Sequence, residues 1–129
     1  MIFQQIDALL SGKKTQTRRI AKPTEASISH FQAPDLIRQV YTYANGRRIK
    51  WNIGNDYAIV PKRGAKSIGR RVRITGIRRE QLHAITEADA VSEGVGSVAQ
   101  YRQLWESING AGSWAKNPDV WVLTLELVQ

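Results

Sequence analysis

Within Gly12-Lys13-Lys14-Thr15-Gln16-Thr17-Arg18-Arg19, four cations and two hydroxyls fall in eight residues. Lysines beside hydroxyls suit two kinds of work: holding phosphate oxygens by charge and hydrogen bond, or activating a Thr as a nucleophile through a neighbouring amine. The same composition suits a solvated basic loop. Cysteine is absent, which removes thiolate nucleophiles, disulfides and thiolate metal sites, and leaves His30 and His83 as the soft ligands. No metal or other cofactor is expected.

Two further segments have the chemistry to hold anions. In Lys62-Arg63-Gly64-Ala65-Lys66-Ser67-Ile68-Gly69 two glycines let backbone amides approach an anion, and Lys62, Arg63 and Lys66 supply charge. The order of Gly, Lys and hydroxyl is wrong for a nucleoside-triphosphate loop. Along Arg70 to Arg79, Arg71 and Arg73 alternate with Val72 and Ile74, so one strand face would carry arginines suited to phosphates, or to keeping an edge soluble. Tyr41, Tyr43 and Trp51 offer ring faces for bases or cross-strand packing.

The net charge of +8 is unevenly placed. Residues 1–79 hold 17 Lys or Arg against 4 Asp or Glu, and residues 80–129 hold 2 against 7. The cations concentrate at Lys13–Lys22, Arg47–Lys50 and Lys62–Arg79. Brought onto one face, these clusters would bind a polyanion; spread out, they confer solubility. No apolar run reaches about 18 residues and the N-terminus does not read as a signal peptide, so no membrane partner is expected and a cytoplasmic location is the default. No repeat or linker divides residues 1–129, which read as one domain.

The elements that must position these groups follow from periodicity. Ile2, Phe3, Ile6, Leu9 and Leu10 predict a short amphipathic helix over 1–10, ended by Gly12. Lys14 to Ile20 reads as extended, with Lys14, Gln16 and Arg18 on one side and Thr15, Thr17 and Arg19 on the other. For Lys14 and Thr17 to act together, the backbone must turn between them. Ala21 to Gln39 shows no clean period and reads as loop, with Pro23 and Pro34 inside it. Asn45-Gly46 predicts a two-residue hairpin turn between strands 38–44 and 47–53. Asp56 to Val60 reads as a central strand stopped at Pro61, and Arg70 to Arg79 as a strand bulged at Gly76.

Thr86-Glu87-Ala88-Asp89 forms a capping-box pattern with Asp in the Glu position, opening a helix to Glu93 and Gly94, with Ile85 and Ala90 as a staple. Ser97 opens a second helix with a stripe of Val98, Tyr101, Leu104, Trp105 and Ile108, ended at Asn109-Gly110. Val120 to Val128 is a long closing strand. Glu93 stands out, because the macrodipole disfavours an anion at a helix C-terminus unless a cation or a function compensates.

The basic motif after an apolar segment, Ile85-Thr86-Glu87-Ala88-Asp89-Ala90-Val91-Ser92-Glu93-Gly94-Val95, the helix around Leu104-Trp105-Glu106-Ser107-Ile108-Asn109-Gly110 and the closing Val120-Trp121-Val122 together resemble the ASCH domain family. The resemblance implies an α+β fold, a small PUA-like β-barrel with flanking helices and a cleft between them. For some members it implies hydrolysis of an acetyl group from the exocyclic amine of cytidine by a Lys, a Thr and a Glu, which by motif position are Lys14, Thr17 and Glu93. In that chemistry Thr17 attacks the amide carbonyl, neutral Lys14 takes the proton, and Glu93 positions or protonates the leaving amine. For others it implies nucleic-acid binding or single-strand ribonuclease activity. The insertion Ala21 to Gly54 and the basic tract Lys62 to Arg79 depart from the compact amidohydrolase type, and a free nucleoside, which carries no phosphate, gives that tract nothing to bind. The leading expectation is therefore an RNA-interacting protein, or one that binds another single-stranded nucleic acid. Its contacts would come from Lys13, Lys14, Thr15, Thr17, Arg18, Arg19 and Glu93, with a rim of Lys62, Arg63, Lys66, Arg71 and Arg73. Acetylcytidine amidohydrolase and a non-catalytic interaction module are the alternatives.

Overall fold

The computed structural model describes residues 1–129. In chain order the elements are α1 (Ile6–Leu10), β1 (Gln16–Ile20), β2 (Glu25–His30), β3 (Ala33–Thr42), β4 (Arg48–Asn52), β5 (Asp56–Ala58), β6 (Arg71–Gln81), α2 (Glu87–Ser92), α3 (Val98–Asn109) and β7 (Asp119–Val128). Short 3-10 turns at Leu82–Ala84 and Trp114–Lys116 join the helices to the strands. One antiparallel sheet runs in the order β1-β7-β6-β5, and a second, β2-β3-β4, packs across it.

The fold is organised by β7, whose two faces meet different cores. Trp121, Leu123 and Leu125 point between the sheets with Val40, Trp51, Ile59, Val72, Ile74 and Ile77. Val120 and Val122 point the other way, onto Leu82, Ile85, Ala90, Tyr101, Trp105 and Trp114 beneath α2 and α3. Alternate residues of a strand face opposite sides, so a strand buried on both is apolar throughout. Two sheets closed as a half-barrel on one core, with helices over the other, form the expected α+β arrangement of a small barrel with flanking helices.

Several local expectations hold for the reasons given by the sequence. Thr86 caps α2, accepting from the Asp89 amide while the Asp89 carboxylate accepts from the Thr86 amide. Ser97 caps α3 through the Gln100 amide. The β6–β7 register slips between Ile74 and Gly76. A Cβ at Gly76 would lie 3.1 Å from Thr124 Oγ1, which leaves that site little room for any larger residue.

Four expectations are corrected. Only residues 6–10 of the N-terminal segment are helical. Met1 to Phe3 is extended and pairs with Val60, which donates to Met1 O at 2.9 Å and accepts from Phe3 N at 3.0 Å. Those bonds cover a strand edge that a helix would leave unpaired. The segment 21–39 is not a loop but holds β2 and the start of β3. Its period is broken by two register slips, after Ile28 and after Ser29. The second skips residues 34–36, so Pro34 sits where no ladder donor is needed. The β3–β4 pairing ends at Thr42↔Arg48, so the connection spans residues 43–47 and is not a two-residue turn. Tyr43 N is instead drawn to Thr24 O at 3.0 Å. Finally, β5 is an edge strand, not a central one: it ends the sheet and pairs with β6 alone, although Ile59 just beyond it is buried in the core.

Candidate functional site

Backbone bonds bring the basic motif to α2. Gly12 turns the chain at φ 81°, Lys14 N donates to Ala8 O at 2.9 Å, and Thr15 N donates to Ser92 O at 2.8 Å. Lys14 and Glu93 thereby form a β-bridge, with Glu93 as the C-cap of α2. Gly94 is required there twice over. Its φ is 90°, and a Cβ would lie 3.2 Å from Ala8 Cβ and 3.3 Å from Lys14 Cβ.

The side chains of Lys14, Gln16 and Arg18 share one face of β1 and enter a closed ionic network. Lys14 Nζ donates to Glu93 Oε1 at 3.1 Å and Glu93 O at 3.4 Å. Arg18 Nη1 donates to Glu93 Oε2 at 3.2 Å and to Gln16 Oε1. Its Nη2 pairs with Glu80 at 2.7 Å and Asp89 at 3.2 Å. Arg78 pairs with the same two carboxylates from outside, at 3.2 and 3.1 Å. Three cations thus meet three carboxylates. Lys14 and Arg18 supply the compensation that an anion at a helix C-terminus requires. Burial pushes the Lys14 amine below its ordinary value, against the pull of Glu93 and with Arg19 and Arg18 adding to the depression. Burial also pushes the Glu93 carboxyl up, against Lys14 and Arg18.

Thr17 lies apart from this network. It pairs with Leu123, whose side chain faces the barrel core, and directly opposed residues of an antiparallel pair share a face. The backbone does not turn between Lys14 and Thr17, so the structure brings Lys14 to Glu93 and leaves Thr17 on the opposite side of β1.

A cleft of about 390 Å³ opens where β1, β4 and α3 meet. Trp51, Tyr101, Trp105, Ile2, Ile20 and Ile108 give it apolar walls, with Gln4 and Asn109 between them. Arg18, Arg19, Lys22 and Lys50 also line it, and no carboxylate does. Arg19 donates to Ile2 O at 2.6 Å and lies 5.2 Å from the Phe3 ring centre. Lys50 pairs with Glu25, which also accepts from Trp121 Nε1 at 2.9 Å. Burial acts to raise the Glu25 carboxyl, but hydrogen bonds from Lys50, the Lys22 amide and Trp121 hold it below its ordinary value. Burial pushes the Tyr101 phenol up, keeping it a neutral wall of the cleft.

Of the residues singled out from the sequence, Arg18 and Arg19 line the cleft, while Lys14, Thr17 and Glu93 lie buried outside its lining. Lys13 and Thr15 are exposed beside the network. Lys62, Arg63 and Lys66 are exposed on the loop after β5, away from the cleft lining. Arg71 donates to Asp56 O, and Arg73 grips the Asp56 carboxylate at 2.8 and 3.3 Å, so part of the arginine face is answered within the chain. Lys22 and Lys50 were not among the cleft residues expected from the sequence, whereas Tyr101 and Trp105, on the expected apolar stripe of α3, are core residues that also line the cleft. The aromatic stripe of α3 was visible, but which part of it faces an opening was not.

No family profile and no curated protein matches this chain. Among solved structures, an ASCH domain from Lactobacillus crispatus JV V101 is similar, with a TM-score of 0.59 and 15% identity over 94% of this chain and 68% of that one. At that identity the likeness establishes the fold, which is the one the sequence motifs pointed to.

Proposed function

We propose that this ASCH-fold chain binds single-stranded RNA and seats one nucleoside in the cleft beside α3. The observation that carries this reading is a cleft of nucleoside size walled by three aromatic rings and lined by four cations without a carboxylate. A base gains from the apolar floor that these largely buried rings form, and phosphates gain from unneutralised cations at the rim. Arg18 is spent on Glu80, Asp89 and Glu93 and Lys50 on Glu25, so Arg19 and Lys22 are the side chains for the phosphates. The exposed loop cations Lys62, Arg63 and Lys66 extend the positive surface for a longer strand.

The test is titration of a labelled single-stranded RNA at several salt concentrations. Affinity should fall as salt rises, with a logarithmic slope of roughly 0.7 for each phosphate held. Lys22→Ala should lower both affinity and slope. Binding that ignores salt and Lys22 would exclude this reading.

A second reading is hydrolysis of an acyl group on a cytidine base by Lys14, Thr17 and Glu93. The buried Lys14–Glu93 contact and the depressed Lys14 amine favour it. It requires Thr17 to leave the barrel face of β1. Mass analysis of an RNA carrying one acetylated cytidine separates the outcomes. Acetyl loss that depends on Lys14 marks the amidohydrolase, chain cleavage marks a ribonuclease, and unchanged bound RNA marks a binding protein.

A further inference from the structure

Residues 36–55 carry Arg38, Arg47, Arg48 and Lys50 and no Asp or Glu. They fold as most of β3, the 43–47 connection and β4. The register slips between Val40↔Trp51 and Tyr41↔Ile49, leaving Lys50 as the extra residue of a bulge. That slip sends Trp51 into the core and the cleft wall while Ile49, its neighbour but one, stays 61% exposed. Tyr41 stands across from Ile49 on the same outer face. The Arg47 guanidinium lies 4.4 Å from the Tyr41 ring centre, and Tyr43, 53% exposed, is tilted beside Tyr41 with centroids 6.4 Å apart.

We infer that this end of the β3–β4 hairpin is a second base-stacking site, which takes a nucleotide further along the strand, beyond the reach of a dinucleotide seated in the cleft. The inference rests on the single-stranded RNA reading and extends it. A guanidinium held over a tyrosine ring keeps its other planar face for a base and its charge for a phosphate. The unneutralised charge of Arg47 and Arg48 selects a polyanion over a neutral partner, and Tyr43 and Ile49 supply the apolar surface on which bases stack. The edge strand β4 joins the two sites, since Lys50 and Trp51 line the cleft and Ile49 and Arg48 follow directly along it. A strand leaving the cleft reaches the outer face by crossing that edge.

The test compares an RNA of about eight nucleotides with a dinucleotide by fluorescence anisotropy at about 0.1 M salt. Arg47→Ala and Tyr43→Ala should each weaken the longer RNA by about tenfold and leave the dinucleotide unchanged. Arg47→Lys should keep the salt slope but not the affinity, because it retains the charge without the planar face. Lys22→Ala, at the cleft, should weaken both ligands. If Lys22→Ala weakens binding while the Arg47 and Tyr43 variants match wild type on the longer RNA, the hairpin site is wrong and the cleft reading stands. If wild type binds neither RNA, both fall.

Discussion

Glu93→Gln removes the only carboxylate that Lys14 touches while nearly preserving side-chain shape. Arg18 keeps Glu80 and Asp89, so the loss concentrates on the lysine, whose side chain is 4% exposed. Breaking a buried ion pair by removing one partner costs about 3–5 kcal/mol. A ceiling comes from the alternative of releasing the proton: from an unfolded value of about 10.4, neutralising a lysine at pH 7 costs about 4.6 kcal/mol. The expected loss at pH 7 is therefore about 3–4.6 kcal/mol. At pH 9 the same ceiling falls to about 1.9 kcal/mol, so the gap to wild type should narrow. The sign follows from proton binding. Burial lowers the amine's pKa in the folded state, so between the folded and unfolded values the unfolded chain binds more protons and stability rises with pH. Denaturant unfolding followed by tryptophan fluorescence at the two pH values measures both quantities. The double variant Lys14→Met with Glu93→Gln should recover much of the loss, since no charge is left stranded. A Glu93→Gln protein that loses under about 1 kcal/mol at pH 7 and follows the pH profile of wild type would refute the buried-pair argument.

Other perturbations test the framework around the site. Thr86→Ala should cost about 1 kcal/mol by removing the cap of α2, read as a lowered unfolding midpoint. Gly76→Ala should cost about 1–3 kcal/mol through the contact with Thr124, and the combination with Thr124→Ala should relieve part of it. Glu25 has a folded pKa below its unfolded one, so its contribution is present above the unfolded value and is lost as pH falls through the folded value. Lys50→Met should remove part of that depression, and acid unfolding should then begin at a higher pH than in wild type.

The elements whose identity depends on neighbours along the chain are legible in the residue pattern alone. The Thr86 and Asp89 cap, the Ser97 cap, the bulge at Gly76 and the long strand β7 each follow from residues a few positions apart. The same locality explains the misses. Bulges in β2 and β3 erase the period that would have marked them, and the turn at Asn45-Gly46 is lengthened by a bond from Tyr43 to Thr24 that lies outside the hairpin.

By itself the sequence determined that a basic motif exists, that Glu93 sits where an anion needs a cation, and that Lys14 and Thr17 have opposite parity on an extended segment. Tertiary structure alone decided that the cation for Glu93 is Lys14, 79 positions away, aided by Arg18. It also turned Arg18 inward to three carboxylates and gathered Lys22, Lys50 and the rings of Trp51, Tyr101 and Trp105 around one opening. Charge and alternation are properties of a chain segment, whereas burial and pairing are set by which segments the two cores of β7 draw together.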